Sequence, residues 1–150
     1  MKSVHPYLNF NGNTEEAFDF YKSVFGGEFA GVVRFRDFGA NPMGMAEHEL
    51  DKIANIALPL GNGAVLMGTD VVDSMPRKLT VGNNFYITLE PDSEEEADRV
   101  FDALSAGGTV EMPLQHTAWA EKYGMCEDRF GVQWMVNYTG NVEFSTHAKA

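Results

Sequence analysis

The stretch Pro6–Glu28, PYLNFNGNTEEAFDFYKSVFGGE, decides the fold because it joins a short strand to an amphipathic helix. Asn13 followed by Glu16 resembles a capping box, which favours a helix start at this point. Apolar residues then recur with helical spacing and predict one buried stripe, made of Ala17, Phe20, Tyr21, Val24 and Phe25. Gly26 and Gly27 supply the left-handed conformation that commonly ends a helix.

A second helix with the same plan begins about 80 residues later, in the segment SEEEADRVFDALSAGG. Ser93 and Glu96 form its capping box, and Gly107 and Gly108 close it. Its apolar stripe consists of Ala97, Val100, Phe101 and Leu104. The acidic residues in its first turns suit the positive end of the helix dipole, so capping explains them without a cation site.

The segments around the two helices predict strands. One strand, VHPYLNF, precedes the first helix, and three follow it: EFAGVVRFRDF, IANIALPL and AVLMGTD. The turn Gly61-Asn62-Gly63 joins the last two as a hairpin. One strand, FYITLEP, precedes the second helix, and strands in TVEMPLQHTAWAEKYG, MCEDRF and VQWMVNY follow it.

The order strand, helix and three strands therefore occurs twice. We predict an α+β fold of two tandem βαβββ modules, at about 4–72 and about 84–138, that arose by internal duplication. Residues 139–150 form a polar tail. The whole chain, 1–150, is expected to be one domain.

The composition narrows the possible functions. The 150 residues include 22 acidic and 11 basic ones, for a net charge of −11. This charge repels phosphates, so neither nucleic acid nor an anionic membrane is an expected partner. Cys126 is the single cysteine, which excludes an internal disulfide and a cysteine-based zinc cluster. No apolar run suits a signal peptide or a membrane span, and we expect a cytoplasmic protein.

Three segments carry a family resemblance: PYLNFNGNTEEAFDFYKSVFGGE, TAWAEKYG and DRFGVQWMVNY. They are similar to the PhnB-like branch of the vicinal oxygen chelate superfamily, which includes glyoxalases, bleomycin-resistance proteins and extradiol dioxygenases. The resemblance covers residues 4 to about 138. It implies that each module curls into a half-barrel around a pocket, that pairs of modules form the site, and that the protein is a homodimer.

Members of this branch often carry the label demethylubiquinone methyltransferase, and the residues argue against it. Methyl transfer from S-adenosylmethionine would conventionally use a Gly-rich turn from strand to helix in a doubly wound sheet. Here NGN before the first helix is a cap, and GNG is a hairpin turn.

The same resemblance raises the question of a metal. Metal-using members place His and carboxylate ligands on the first and last strands of each module, where they suit divalent ions. Those positions correspond here to His5, Met67, Tyr86 and Met135, of which only His5 matches a family ligand. A catalytic metal normally needs about three protein ligands. We therefore predict no metal or other cofactor, with a divalent metal as the alternative.

Strand alternation predicts which side chains face the pocket, and the resemblance adds Trp119. The predicted pocket residues are His5, Tyr7, Asn9, Met67, Thr69, Tyr86, Thr88, Trp119, Gln133, Met135 and Asn137. An apolar and aromatic cavity with neutral hydrogen-bonding groups is typical of a small-molecule site. The same residues would also serve simply to fill a small barrel.

The predicted pocket offers few groups for chemistry, because no carboxylate belongs to it except Glu90 at its rim. His5 with Tyr7 or Tyr86 could form an acid–base pair, which makes His5 and Tyr86 the candidate catalytic residues. Cys126 is not expected to be a nucleophile, because neighbouring carboxylates raise the pKa of its thiol. It is expected to be a small buried hydrophobe.

Three features outside the pocket have both a functional and a plain structural interpretation. The triplet EHE at 47–49 could bind a metal, although adjacent loop residues point in different directions. Arg34 and Arg36 could recognise an anionic substrate or lie solvated at a sheet edge. His116 could contact the ligand or cap a loop.

The leading hypothesis is a metal-free homodimer that binds a small, partly apolar organic molecule. One alternative is a metal-dependent enzyme of the glyoxalase or dioxygenase type. Another is a binding protein that sequesters a drug or toxin. Both an enzyme and a binding protein are compatible with the sequence.

Overall fold

A computed structural model describes residues 1–41 and 44–143 of the chain. Pro42, Met43 and the end of the predicted tail, 144–150, lie outside the described residues. The chain divides into two compact units, Met1–Thr80 and Val81–Ala150, and each unit holds one of the predicted modules.

The first module forms a four-stranded sheet with one helix in its described part. Its elements are β1 (Tyr7–Phe10), α1 (Thr14–Phe25), β2 (Gly31–Arg34), β3 (Ile53–Gly61) and β4 (Ala64–Asp70). The strand order is β1-β4-β3-β2, with β1 parallel to β4 and the other neighbours antiparallel. Short 3-10 helices at Phe35–Phe38 and Glu47–Glu49 lie between β2 and β3.

The second module repeats this arrangement. Its elements are β5 (Ile87–Leu89), α2 (Glu94–Ser105), β6 (Thr109–Gln115), β7 (Lys122–Glu127) and β8 (Gln133–Tyr138). The strand order β5-β8-β7-β6 matches that of the first sheet, and β5 is parallel to β8. The predicted α+β fold with two βαβββ modules is confirmed. No helix within 1–41 and 44–143 is long and apolar enough to cross a bilayer.

The buried stripe of α1 differs from the predicted one. Its buried residues are Thr14, Ala17, Phe18, Tyr21 and Val24, so Phe20 and Phe25 were wrongly placed in the core. The Phe18 ring meets Phe10 edge-on at 6.5 Å between centroids. It also lies over Gly68, where an added Cβ would sit 2.6 Å from the ring. α1 carries apolar residues on adjacent faces, so its sequence is compatible with burying more than one face. The contact of Phe18 with Gly68 of β4 determines which face is buried. The stripe of α2 is buried as predicted.

The two helices begin in different ways. Ser93 caps α2 as predicted, with its hydroxyl oxygen accepting a 3.1 Å hydrogen bond from the Glu96 amide. The Asn13 side chain makes no capping hydrogen bond, so that prediction was wrong. Asp70, at the end of β4, takes its place: Oδ1 accepts from the Thr14 amide at 3.0 Å and from the Thr14 hydroxyl at 2.6 Å.

Two predicted strands are shorter than expected. β2 ends at Arg34, where the register with β3 shifts and Asp37 accepts a 2.8 Å hydrogen bond from the Arg34 amide. The chain turns into the 3-10 helix at this point. In the second module the segment 116–121, predicted as strand, is a loop closed by a hydrogen bond from the Thr117 amide to the Ala120 carbonyl.

The helix-facing side of each sheet forms the core of its module. In the first module the buried strand residues include Leu8, Phe10, Ile56, Leu58 and Leu66. In the second module Cys126, Trp134 and Val136 are fully buried on this side. Strand alternation therefore turns the intervening residues of both sheets to the opposite face, where the pocket was predicted.

Candidate functional site

The first-sheet face is the side of β1, β3 and β4 that points away from α1. Four predicted pocket residues meet there, because the parallel register pairs Tyr7 with Met67 and Asn9 with Thr69. Tyr7 is 45% exposed. The structure thus brings these four side chains together on one surface.

Most polar groups of the first-sheet face are already engaged within the module. The Tyr7 hydroxyl donates to Asn55 Oδ1 at 3.0 Å, and the Thr69 hydroxyl donates to the Ala54 carbonyl at 2.9 Å. Asn9 Oδ1 accepts a 2.6 Å hydrogen bond from the Arg77 guanidinium. The four predicted side chains of this face are therefore uncharged, and most of their polar groups are satisfied by neighbours that include the Arg77 guanidinium.

His5, the candidate catalytic histidine, lies two residues before β1 starts at Tyr7. Its Nδ1 accepts a 3.2 Å hydrogen bond from the Val65 amide at the start of β4. This contact ties the chain before β1 to the edge of β4. It gives His5 a structural role.

The second-sheet face is the side of β5–β8 that points away from α2. Met135 occupies its centre, paired in register with Thr88 on one side and Met125 on the other. The Tyr123 hydroxyl donates to the Met135 sulfur at 3.1 Å, and the Thr88 hydroxyl lies 3.7 Å from it. Asn137 pairs with Tyr123 on the same face.

Two further predicted residues support this face. The Trp119 ring meets the Tyr123 ring edge-on at 5.1 Å, and Trp119 is 40% exposed. The buried Gln133 donates from Nε2 to the Phe85 carbonyl at 2.6 Å and so holds the chain just before β5. All six predicted pocket residues of the second module therefore lie on or beside one surface.

The second-sheet face also holds two carboxylates that were not predicted from the sequence. Glu127 pairs with Gln133 and alternates with Met125, so it lies on this face. A bulge between Val110 and Met112 inserts Glu111 into β6. Bulges re-aim side chains, and Glu111 Oε2 accepts a 2.5 Å hydrogen bond from the Tyr86 hydroxyl. The expectation of a pocket without carboxylates, apart from Glu90, was wrong.

The signals for these carboxylates were weak. Pro113 in β6 was a hint of irregular pairing, since proline interrupts the ladder of a strand. Glu127 was missed because the predicted strand boundary fell between Gly124 and Met125, whereas β7 runs through both. With the observed boundary, alternation alone places Tyr123, Met125 and Glu127 on one face.

The carboxylates change the chemistry of Tyr86. The hydrogen bond to Glu111 raises the pKa of the Tyr86 phenol, and burial and the negative charges of Glu111 and Glu127 raise it further. Tyr86 therefore keeps its proton at neutral pH and acts as a hydrogen-bond donor.

Cys126 lies on the opposite, helix-facing side of the second sheet. Burial raises the pKa of its thiol to about 11, and the charges of Asp128 and Glu111 add to that increase. A thiol in this environment is a poor nucleophile at neutral pH. The interpretation of Cys126 as a small buried hydrophobe agrees with this position.

The features predicted outside the pocket have structural partners. Arg34 pairs with Glu15, and Arg36 pairs with Glu47 and Asp51, which raises the pKa of both guanidinium groups. These contacts favour the plain interpretation of both arginines as surface ion-pair residues.

The acidic triplet at 47–49 is dispersed. Glu49 is buried and accepts hydrogen bonds from the Ala46 amide and from both the amide and the hydroxyl of Ser74. Together these hydrogen bonds lower the pKa of Glu49 to about 2. Within the described residues no group of three or more His, Cys, Asp or Glu side chains is arranged to hold a metal ion.

His116 lies in a different cavity. This cavity, of about 450 Å³, is lined by Glu94, Gln115, His116, Glu121 and Lys122. Lys122 Nζ lies 3.0 Å from Asp98 of α2, so this residue points to the helix side of the sheet. The cavity contains none of the predicted pocket residues.

Comparison with known proteins identifies the family. A sequence model of the Glyoxalase/Bleomycin resistance protein/Dioxygenase superfamily matches residues 3–136. The chain belongs to this superfamily. Protein YjdN from Escherichia coli (strain K12) is 32% identical over 137 residues, which cover 89% of this chain and 93% of YjdN.

Solved structures confirm the PhnB-like resemblance. Protein PA1353 from Pseudomonas aeruginosa is 40% identical and superimposes with a TM-score of 0.78, over 92% of this chain and 98% of that one. A PhnB protein from Bacillus cereus is 27% identical with a TM-score of 0.72, over 91% and 99% of the two chains.

The four positions that correspond to metal ligands in the glyoxalase superfamily carry side chains of three chemical kinds. His5 contributes an imidazole, Met67 and Met135 contribute thioethers, and Tyr86 contributes a phenol. The Met135 sulfur accepts a hydrogen bond from the Tyr123 hydroxyl, and the Tyr86 hydroxyl donates a hydrogen bond to Glu111. Thioethers and a protonated phenol are poor ligands for hard divalent ions, so these residues do not fit the metal that relatives would hold there.

Proposed function

We propose that this glyoxalase-superfamily protein binds a small, partly apolar organic molecule on its second-sheet face without using a metal. The observation that carries the proposal is the register pair Met125 and Met135, which lies half-buried beside Tyr123 and Tyr86. Flexible thioethers adapt to the shape of an apolar ligand, and phenols orient it by hydrogen bonding.

The contrast between the two sheets supports this choice of face. On the first-sheet face Tyr7 and Thr69 donate to neighbouring protein oxygens. On the second-sheet face the hydroxyls of Tyr123 and Thr88 contact, among the described residues, the weakly accepting sulfur of Met135. A ligand with a better acceptor would therefore gain more from the second-sheet face.

A second candidate function, acid–base catalysis without a metal, is favoured by the Tyr86–Glu111 pair. Tyr86 is a proton donor whose hydroxyl is 2.5 Å from the carboxylate of Glu111. Glu111, the ionised member of the pair, could take a proton from one atom of a bound ligand and return it to another, while the Tyr86 hydroxyl donates a hydrogen bond. In this proposal Glu111 replaces His5 as the partner of Tyr86.

Native mass spectrometry and elemental analysis of protein purified without chelators test the proposed function together. We expect a bound organic molecule and no stoichiometric metal. Met125→Ala and Met135→Ala should lose the bound molecule, while Met75→Ala, in the connector before β5, should keep it. Stoichiometric zinc, nickel, manganese or iron would contradict the proposal, as would ligand retention in both face variants. If the ligand is recovered chemically unchanged, binding is favoured over catalysis.

We also propose that the protein is a homodimer, as its family resemblance implies. β2 and β6 are edge strands, and they carry Val32 and Val110, which are 41% and 46% exposed. Apolar side chains on an open sheet edge favour association. Light scattering should give twice the 16.6 kDa mass of the chain, and a mass of 16.6 kDa at micromolar concentration would contradict the dimer.

A further inference from the structure

The charged strand residues of the second-sheet face are all acidic. The four strands β5–β8 contain a single basic residue, Lys122. Its ammonium group lies 3.0 Å from Asp98 on α2, on the other side of the sheet. The second-sheet face therefore presents the carboxylates Glu111 and Glu127 with no basic strand residue beside them.

Aromatic rings and thioethers lie on the same face as these carboxylates. Tyr123 is held by its hydrogen bond to the Met135 sulfur and by its edge contact with Trp119. The bulge that exposes Glu111 also brings Met112 opposite Met125. Aromatic faces attract cations through their quadrupole, most strongly when the cation is poorly hydrated.

We propose that the ligand of the second-sheet face is an organic cation, a quaternary ammonium or alkylated amine carried on an apolar body. The inference rests on the proposed function and names its ligand class. Glu111 and Glu127 supply the counter-charge, and Trp119 and Tyr123 supply the aromatic wall.

The same residues discriminate against inorganic cations. A bound catalytic metal normally takes about three protein ligands, and the thioethers that accompany Glu111 and Glu127 are poor ligands for hard divalent ions. A quaternary ammonium has a diffuse charge and apolar methyl groups, so it needs no directed ligands. The first-sheet face, with neutral groups and the Arg77 guanidinium, has no such preference.

Methionine-methyl NMR tests this inference in the presence of EDTA. The probes are choline, its neutral isostere 3,3-dimethylbutan-1-ol, and benzyltrimethylammonium as a larger cation. We expect both cations to shift the methyl signals of Met125 and Met135 and to leave that of Met45, which is buried in the first module, unchanged. The neutral isostere should bind at least about five-fold more weakly than choline.

Two variants separate the contribution of the carboxylate charge to cation binding from that of the aromatic ring. Glu111→Gln keeps an acceptor for the Tyr86 hydroxyl but removes the charge, and Trp119→Ala removes the ring. Each should weaken binding of the cations by about five-fold or more. Glu95→Gln, an equal loss of charge on the exposed side of α2, should leave binding unchanged.

Three results would overturn the inference. They are equal binding of choline and its neutral isostere, equal affinity of Glu111→Gln and the unchanged protein, and no methyl shift with either cation. None of them overturns the proposed function, which fails separately if a bound metal is found or if the face variants keep the copurified molecule.

Discussion

At Asp70 one buried carboxylate joins three parts of the first module. Oδ1 accepts from the amide and hydroxyl of Thr14 at the start of α1, and Oδ2 accepts from the Ile53 amide at the start of β3, at 2.8 Å. Asp70→Ala should lower the free energy of unfolding by about 3 kcal/mol, because it leaves buried donors without an acceptor. Urea unfolding measures the change.

Two comparisons make the Asp70 prediction specific. Asp70→Asn keeps one acceptor oxygen and should cost less than the alanine change. Asp73→Ala, an exposed aspartate three residues on, should be close to neutral. Equal stability of Asp70→Ala and Asp73→Ala would show that the hydrogen bonds do not stabilise the module.

The lowered pKa of Glu49 predicts that the free energy of unfolding depends on pH. Its pKa is lowered from 4.5 to about 2, first by the Ser74 hydroxyl and then by the Ala46 amide. A lowered pKa in the folded state contributes stability that is present above pH 4.5 and is lost as the pH falls towards 2. The difference in unfolding free energy between wild type and Glu49→Gln should therefore shrink from pH 5 to pH 2.

Glu28→Gln is the matched loss of charge for this experiment, since Glu28 lies on the surface. Chemical denaturation at intervals of pH gives the required series. A wild-type advantage over Glu49→Gln that stays constant down to pH 2 would contradict the assigned cause.

Capping shows what a local sequence can and cannot predict. Ser93 and Glu96 are three residues apart and interact as predicted. The cap of α1 comes from Asp70, 56 residues beyond Thr14. The local spacing predicted Asn13 as the cap. Asp70 could not be predicted from a short-range pattern, because it comes close to Thr14 only when β4 folds.

At the scale of elements, the packing of α1 on β4 depends on Gly68. An added Cβ there would lie 2.6 Å from the Phe18 ring and 3.2 Å from the Leu8 carbonyl oxygen. Gly68→Ala should destabilise the protein by about 2 kcal/mol, because the ring and the strand must move apart. Gly31→Ala in β2 has no heavy atom within 4 Å of the new Cβ and is the control.

Thermal and urea unfolding of both glycine variants provide the measurement. Gly31→Ala should be near neutral. Equal stability of the two variants would mean that α1 can shift on β4 without cost, and that Gly68 does not determine the rotation of the helix.

Elements with strong local signals were predictable, and irregular ones were not. The hairpin at Gly61-Asn62-Gly63 has positive φ at all three residues, as its sequence implies. The bulge in β6 depends on pairing with β7, so no local sequence pattern predicted Glu111 as part of the site. The candidate site was therefore predicted in its apolar part and missed in its charged part.

At the scale of the whole molecule, the two modules share a strand order but differ in the side chains on their sheet faces. Both sheets place the first strand parallel to the last. One face has no carboxylate among its predicted residues, and its Tyr7 and Thr69 are engaged by their neighbours. The other face has Glu111, Glu127 and methionines. Membership of the glyoxalase superfamily rests on the family match over residues 3–136, and the proposed ligand class rests on the second-sheet face alone.

The central claim, that the second-sheet face binds a small organic molecule without a metal, is tested most directly by the methyl spectrum of the methionine-labelled protein. Its eight methionines report on both modules during titration with neutral and cationic aromatic fragments in EDTA. We predict that fragments shift Met125 and Met135 while the buried Met45 stays unchanged. Shifts that occur only after zinc or manganese replaces EDTA, or no shifts at either face methionine, would contradict the claim.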